Sequence, residues 1–131
     1  MKPAADIITI EDIKILVDTF YQKVQQDAIL APIFNTRIQD RWDEHLEKMY
    51  RFWQTVLLDE HTYFGSPFHP HAGMPLDQSH FQTWMELFTE TVDELFSGQK
   101  ALEAKWRAGK MAEMFQIKLE HLRKNSLKNI Y

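Results

Sequence analysis

The residues able to do chemistry in this chain are chiefly its six histidines, because it contains no cysteine. That absence excludes disulfide scaffolds, thiolate zinc sites, cysteine-ligated iron–sulfur clusters and thiol catalysis. His69 and His71 flank Pro70, and His80 follows with Asp77 just before it. Imidazoles and a carboxylate are competent ligands for zinc or another transition metal. The same spacing also suits a polar loop that merely collects histidines. His45 stands apart, at a position where a helical stripe asks for an apolar residue. The ordinary role there is a core or rim histidine bonded to a carbonyl. No Gly-rich phosphate loop, H-E-x-x-H, nucleophile elbow or Glu-x-x-His pair is present. Glu44 and His45 are adjacent and cannot share a helix face.

The elements that must position these groups read as helices. Ile13, Leu16, Val17, Phe20, Tyr21 and Val24 form an amphipathic stripe, with Thr9 as N-cap and a stop before Pro32. A second helix is expected from about Asp40 to Leu58, with Trp42, His45, Leu46, Met49, Phe52 and Trp53 on its inner face. Lys48 borders that face. The stretch from Asp59 to about Leu76 breaks the pattern, holding three of the five prolines and three of the six histidines. A loop this long is usually functional or disordered. Tyr63, Phe64 and Phe68 point to an ordered loop wrapped over something.

Asp77 or Ser79 suits the N-cap of a third helix carrying Phe81, Trp84, Phe88 and Val92, ended by Ser97-Gly98. The last helix is expected over about Gln99 to Lys124, with Leu102, Ala108, Met111, Ala112, Phe115, Leu119 and Leu122 inward. Nothing reads as a strand, so the fold class is all-α. Tyr21, Trp84 and the Phe and Met stripes are core residues by default.

A length of 131 residues suits one domain, with residues 1–8 and 125–131 as loose ends. The formal charge of −4 gives no electrostatic reason for nucleic acid or an anionic membrane as partner. No stretch approaches the roughly 18 apolar residues of a membrane span, and no secretory h-region follows the N-terminus. Cytoplasmic residence is the expectation. One oddity remains, since aromatics make up 13% and methionines number six in a domain with a modest core.

Taken together, the pattern suits a buried, flat, apolar cofactor with iron at its centre. One imidazole would coordinate iron, and polar groups opposite would address a gas.

In order and spacing the chain resembles the truncated haemoglobins, most closely their third group, from about Thr9 to Arg123. The resemblance rests on Phe20-Tyr21-Gln22-Lys23-Val24, Pro32-Ile33-Phe34-Asn35 and Trp42-Asp43-Glu44-His45 leading into Phe52-Trp53. It continues through Gly65-Ser66-Pro67-Phe68-His69-Pro70-His71 and His80-Phe81-Gln82-Thr83-Trp84. It implies two helix pairs crossed over a b-type haem, a two-over-two sandwich. His71 would be the proximal iron ligand, with His69 and His80 as rivals. Tyr21, His45, Met49 and Trp84 would line the distal side, His45 gating entry or ligating iron. Phe34 would pack on the haem, Phe52, Trp53, Phe81 and Phe115 would enclose it, and Lys48 would reach a propionate.

The Gly-Gly pairs of the first two groups are missing, and Met49 stands where members often carry a branched aliphatic. The implied partners are O2, NO or another diatomic gas, bound by a monomer or weak dimer. Nitric-oxide dioxygenase or peroxidase-type turnover would need an external electron donor. Two other classes compete: a zinc protein built on His69, His71, His80 and Asp77, and a cofactor-free helical interaction module.

Overall fold

The computed structural model describes residues 5–68, 71 and 74–128. They form five helices: α1 (Ile10–Gln26), α2 (Ala31–Ile38), α3 (Trp42–Leu58), α4 (Gln78–Leu95) and α5 (Gln99–Lys128). No strand occurs among the described residues. The architecture is all-α, as expected. α1 packs on α3 and crosses α4, while α4 packs on α5. No helix of the described residues is long and apolar enough to cross a membrane.

Thr9 caps α1 in a reciprocal box with Asp12, and the six expected stripe residues, Ile13 to Val24, are all buried. The chain then turns on Asp27, whose carboxylate accepts the amides of Ile29 and Leu30, both at 2.9 Å. The sequence reading ended one helix before Pro32 and left a corner there. The structure instead starts α2 across that proline, which sits in the first turn where no amide is needed. α2 carries the half-buried Phe34 and the exposed Arg37.

Two further expectations are corrected. Ser97-Gly98 does follow the end of α4, but it does not cap it, because the helix closes on an extended Phe96. Gly98, at φ +128°, opens α5 instead, its carbonyl accepting from Leu102 at 3.1 Å. A Cβ at Gly98 would lie 2.7 Å from Asp6 Cγ, so the close approach of the N-terminal segment also requires glycine. Asp6 uses that proximity to cap α5 from outside, accepting the amides of Lys100 and Ala101 at 2.8 Å each. Burial tends to raise its carboxyl, but the backbone donors outweigh it and hold the pKa below the usual range. Residues 5–8 are therefore anchored rather than loose, with Ile7 only 1% exposed.

The second correction concerns α5. Its buried face runs through Ala101, Ala104, Ala108, Ala112, Phe115 and Leu119, a 3.6-residue period with small side chains that admit close packing. Leu102 falls one position off that line and is 63% exposed, and Leu122 lies past its end at 40%. The core where α1, α3 and α4 meet is a stack of rings. Trp53 and Trp84 both stack on Phe88, with centroids 5.1 and 5.5 Å away, and Phe20 meets Phe88 edge-on.

Candidate functional site

The irregular segment between α3 and α4 is built from its ends inward. Thr55 on α3 receives the amides of Thr62 and Tyr63 at 3.0 and 2.9 Å, which fixes the departure of the chain. At the other end, Asp77 caps α4 and accepts from the Ser79 amide at 2.9 Å. His80 returns the favour, its Nδ1 accepting the Asp77 amide at 3.0 Å. His80 is thus committed to the helix start.

Between these anchors His71 faces inward. Its Nδ1 lies 2.6 Å from the Pro67 carbonyl oxygen. A carbonyl only accepts, so Nδ1 carries the proton and donates it, leaving Nε2 with a lone pair. Burial lowers the pKa of the ring, only partly opposed by the Pro67 bond, and Arg37 lowers it further, so His71 is neutral. Phe115 stands beside it, with centroids 4.9 Å apart.

His71 lines a cavity of about 450 Å³ enclosed by all five helices and this segment. The structure brings every residue that the resemblance assigns to the haem site to that one cavity, whereas Asp77 of the zinc alternative does not line it. Tyr21 and His45 meet edge to face at 5.0 Å, and Phe34 lies 6.0 Å from Tyr21. Met49, Phe52 and Trp53 come from α3, with Phe52 also against Tyr63 at 5.5 Å. Phe81 and Trp84 come from α4, and Phe115 from α5.

The polar groups inside are few and held neutral. Burial alone pushes the Tyr21 phenol far above its ordinary value, so it remains an O–H donor. Burial, the facing His71 and Lys48 together lower His45 to about 4. Its Nε2 is buried without a hydrogen-bond partner among the described residues. A buried nitrogen in that condition marks a place where something polar belongs.

The rim is cationic. Lys48, Arg37 and Arg41 all line the cavity while remaining exposed. Lys48 is paired with Glu44 at 3.5 Å, and Arg41 donates to the Arg37 carbonyl at 3.2 Å. Sequence reasoning found Lys48 and missed both arginines. The available signal was three cations within twelve positions of an acidic chain, bracketing the start of α3. Met111, expected on the inner face of the last helix, also lines the cavity, as do Met74 and Leu76, which fall in or at the end of the irregular stretch and carry no periodic signal.

The zinc alternative fares less well. Among the described residues no three His, Asp or Glu side chains gather to hold a metal ion. His69, one of its ligands, lies outside the described residues. The donors fit a planar iron-centred group better: one imidazole lone pair, a lining of rings and methionines, and a cationic rim.

The family model of bacterial-like globins matches residues 6–118 of this chain. The chain belongs to the bacterial-like globins. This globin is 35% identical over 115 residues to a group 3 truncated haemoglobin of Campylobacter jejuni, covering 85% of this chain and 91% of that one. It superposes on the crystal structure of a group III truncated haemoglobin from the same organism with a TM-score of 0.81. That match covers 91% of the globin and 95% of the other chain, again at 35% identity. Membership carries a haem-binding, gas-binding function at the level of the family.

Proposed function

We propose that this globin holds a b-type haem in the 450 Å³ cavity with His71 as axial ligand, and takes O2 or another diatomic gas beside Tyr21, His45 and Trp84. When bound, the haem supplies an iron centre for the gas and, with an external electron donor, for nitric-oxide or peroxide chemistry. The observation that carries the reading is the Nδ1–H of His71 committed to Pro67 at 2.6 Å, which reserves Nε2 inside a ring-lined cavity. A hydrogen bond from the far ring nitrogen to a backbone carbonyl orients a ligating imidazole and raises its basicity.

The chain's other residues have definable roles. Phe81 and Phe115 exclude water on the His71 side, and Phe34 and Phe52 close the apolar walls. Lys48, Arg37 and Arg41 offer charge to the two carboxylates that a haem carries at its edge. On the gas side, Tyr21 holds its proton at Oη and Trp84 at Nε1, two donors suited to a ligand with partial negative charge. His45 is neutral and presents its unpartnered Nε2 to the same space. A dry setting strengthens each of these interactions. The arrangement suits retention or activation of O2 better than its delivery.

Absorption spectroscopy with metal analysis tests the reading. One haem per chain, with a Soret band that shifts on adding carbon monoxide to the reduced protein, is expected. No Soret band after haem reconstitution, together with stoichiometric zinc, would replace the haem reading by the zinc one.

A further inference from the structure

We infer that the C-terminal part of α5 sets the position of the His71 imidazole, with Lys118 and Arg123 as positioning residues gripping the His71 segment on either side. The inference rests on the reading of His71 as the axial ligand.

Backbone hydrogen bonds run through this segment in series. The His71 amide donates to Phe68 at 2.8 Å, the Met74 amide to His71 at 3.1 Å, and the Leu76 amide to Met74 at 2.9 Å. Such a series places His71 only if its ends are fixed. At the far end the Leu76 carbonyl accepts from the Arg123 guanidinium. At the near end the Phe68 ring lies under the Lys118 ammonium, 5.1 Å from it, within cation–π range. Phe68 also meets Phe115 at 5.4 Å, and Phe115 meets the His71 ring at 4.9 Å.

Phe115, Lys118 and Arg123 belong to one helix, so a single rigid element holds both ends of the segment. Pro67, whose carbonyl orients the imidazole, immediately precedes Phe68, so a displaced Phe68 moves the acceptor that aims Nε2. Among the described residues neither Lys118 nor Arg123 forms an ion pair with a carboxylate, unlike Lys110 and Lys124 on the same helix. Their contacts go to the His71 segment instead. The family match ends at residue 118, so Arg123 is a feature beyond it.

Lys118→Gln and Arg123→Gln in the full, haem-loaded chain test the inference. Two readouts apply: hemin transfer to excess apomyoglobin, and the iron–histidine stretching band of the ferrous protein by resonance Raman. Each variant is expected to release hemin roughly two- to tenfold faster and to shift or broaden the band, with helix content unchanged by circular dichroism. Lys118→Arg and Arg123→Lys, which keep the cation, are expected to recover most of the native behaviour. A native band and native release rates in both Gln variants would overturn the inference while leaving His71 as ligand. Absence of an iron–histidine band in the unsubstituted chain would overturn the axial reading beneath it.

Discussion

The rings of Tyr21 and His45 stand edge to face, with centroids 5.0 Å apart and planes 88° to one another. α1 and α3 thereby bring a phenol and an imidazole, both neutral, to the same wall of the cavity. The first is a donor kept protonated by burial, and the second carries an unpartnered Nε2. Under the proposed function, this wall is where a polar diatomic molecule would be recognised.

Removing one donor from that wall should be visible in ligand release. Leaving a buried polar group without its hydrogen-bond partner costs about 1–3 kcal/mol, roughly a five- to 150-fold change in dissociation rate. Tyr21→Phe and Trp84→Phe are each expected to speed O2 release within that range, measured by stopped-flow displacement. Unchanged release in both would contradict the assignment of this wall.

His45 makes stability depend on pH in a stated direction. Its folded pKa is about 4 against an ordinary 6.5, chiefly through burial. The unfolded chain therefore binds the proton first as pH falls from about 6.5 to about 4. Stability is full above that window and declines through it, by up to about 1.4 kcal/mol per pH unit from this one group. His71 is depressed in the same direction and adds to the slope. Urea unfolding of the haem-free chain between pH 7 and pH 4.5 should show a shallower slope in His45→Leu; an equal slope would contradict it.

Asp6 should matter more than a residue near a chain end ordinarily does. Its carboxylate caps α5 across 94 and 95 positions of sequence. Loss of a cap costs about 0.5–2 kcal/mol. Asp6→Ala is expected to lower the thermal midpoint, and Asp6→Asn, which keeps an acceptor, to lower it less. Equal losses would place the effect in charge alone.

Phe88 is the centre of the ring stack that Trp53 and Trp84 close, and it is 1% exposed. Truncation of such a residue costs about 3–5 kcal/mol. Phe88→Ala is therefore expected to weaken urea resistance strongly and to loosen Trp84, with faster gas release as a secondary effect. Wild-type stability would show that the stack is not the keystone of α1, α3 and α4.

Which features were legible in the sequence follows from the range of the interactions. The stripe from Ile13 to Val24 is local periodicity, and the structure buries all of it. α2 was hidden because Pro32 ends one helix and begins the next with the same chemistry. Gly98 reads as a helix end from its neighbours alone, whereas its cause is Asp6, far away in sequence. Leu102 looked inward because leucine usually is, but the alanine line of α5 sets the true period. The residues that the resemblance assigns to a haem pocket, from Tyr21 to Phe115, line one cavity, although each taken alone reads as an ordinary core or edge residue. Arg37 and Arg41 escaped notice because an arginine at a helix edge carries no local sign of the cavity beside it. His71 was separated from His69 and His80 only by family resemblance; the bond to Pro67 gives that choice a physical basis.

The haem content of His71→Ala, measured by the pyridine haemochrome method after reconstitution, tests the central claim most directly. Loss of stoichiometric haem is expected in a chain that keeps its helices, with partial recovery on adding free imidazole. One tightly held haem per chain with a native five-coordinate ferrous spectrum would contradict it.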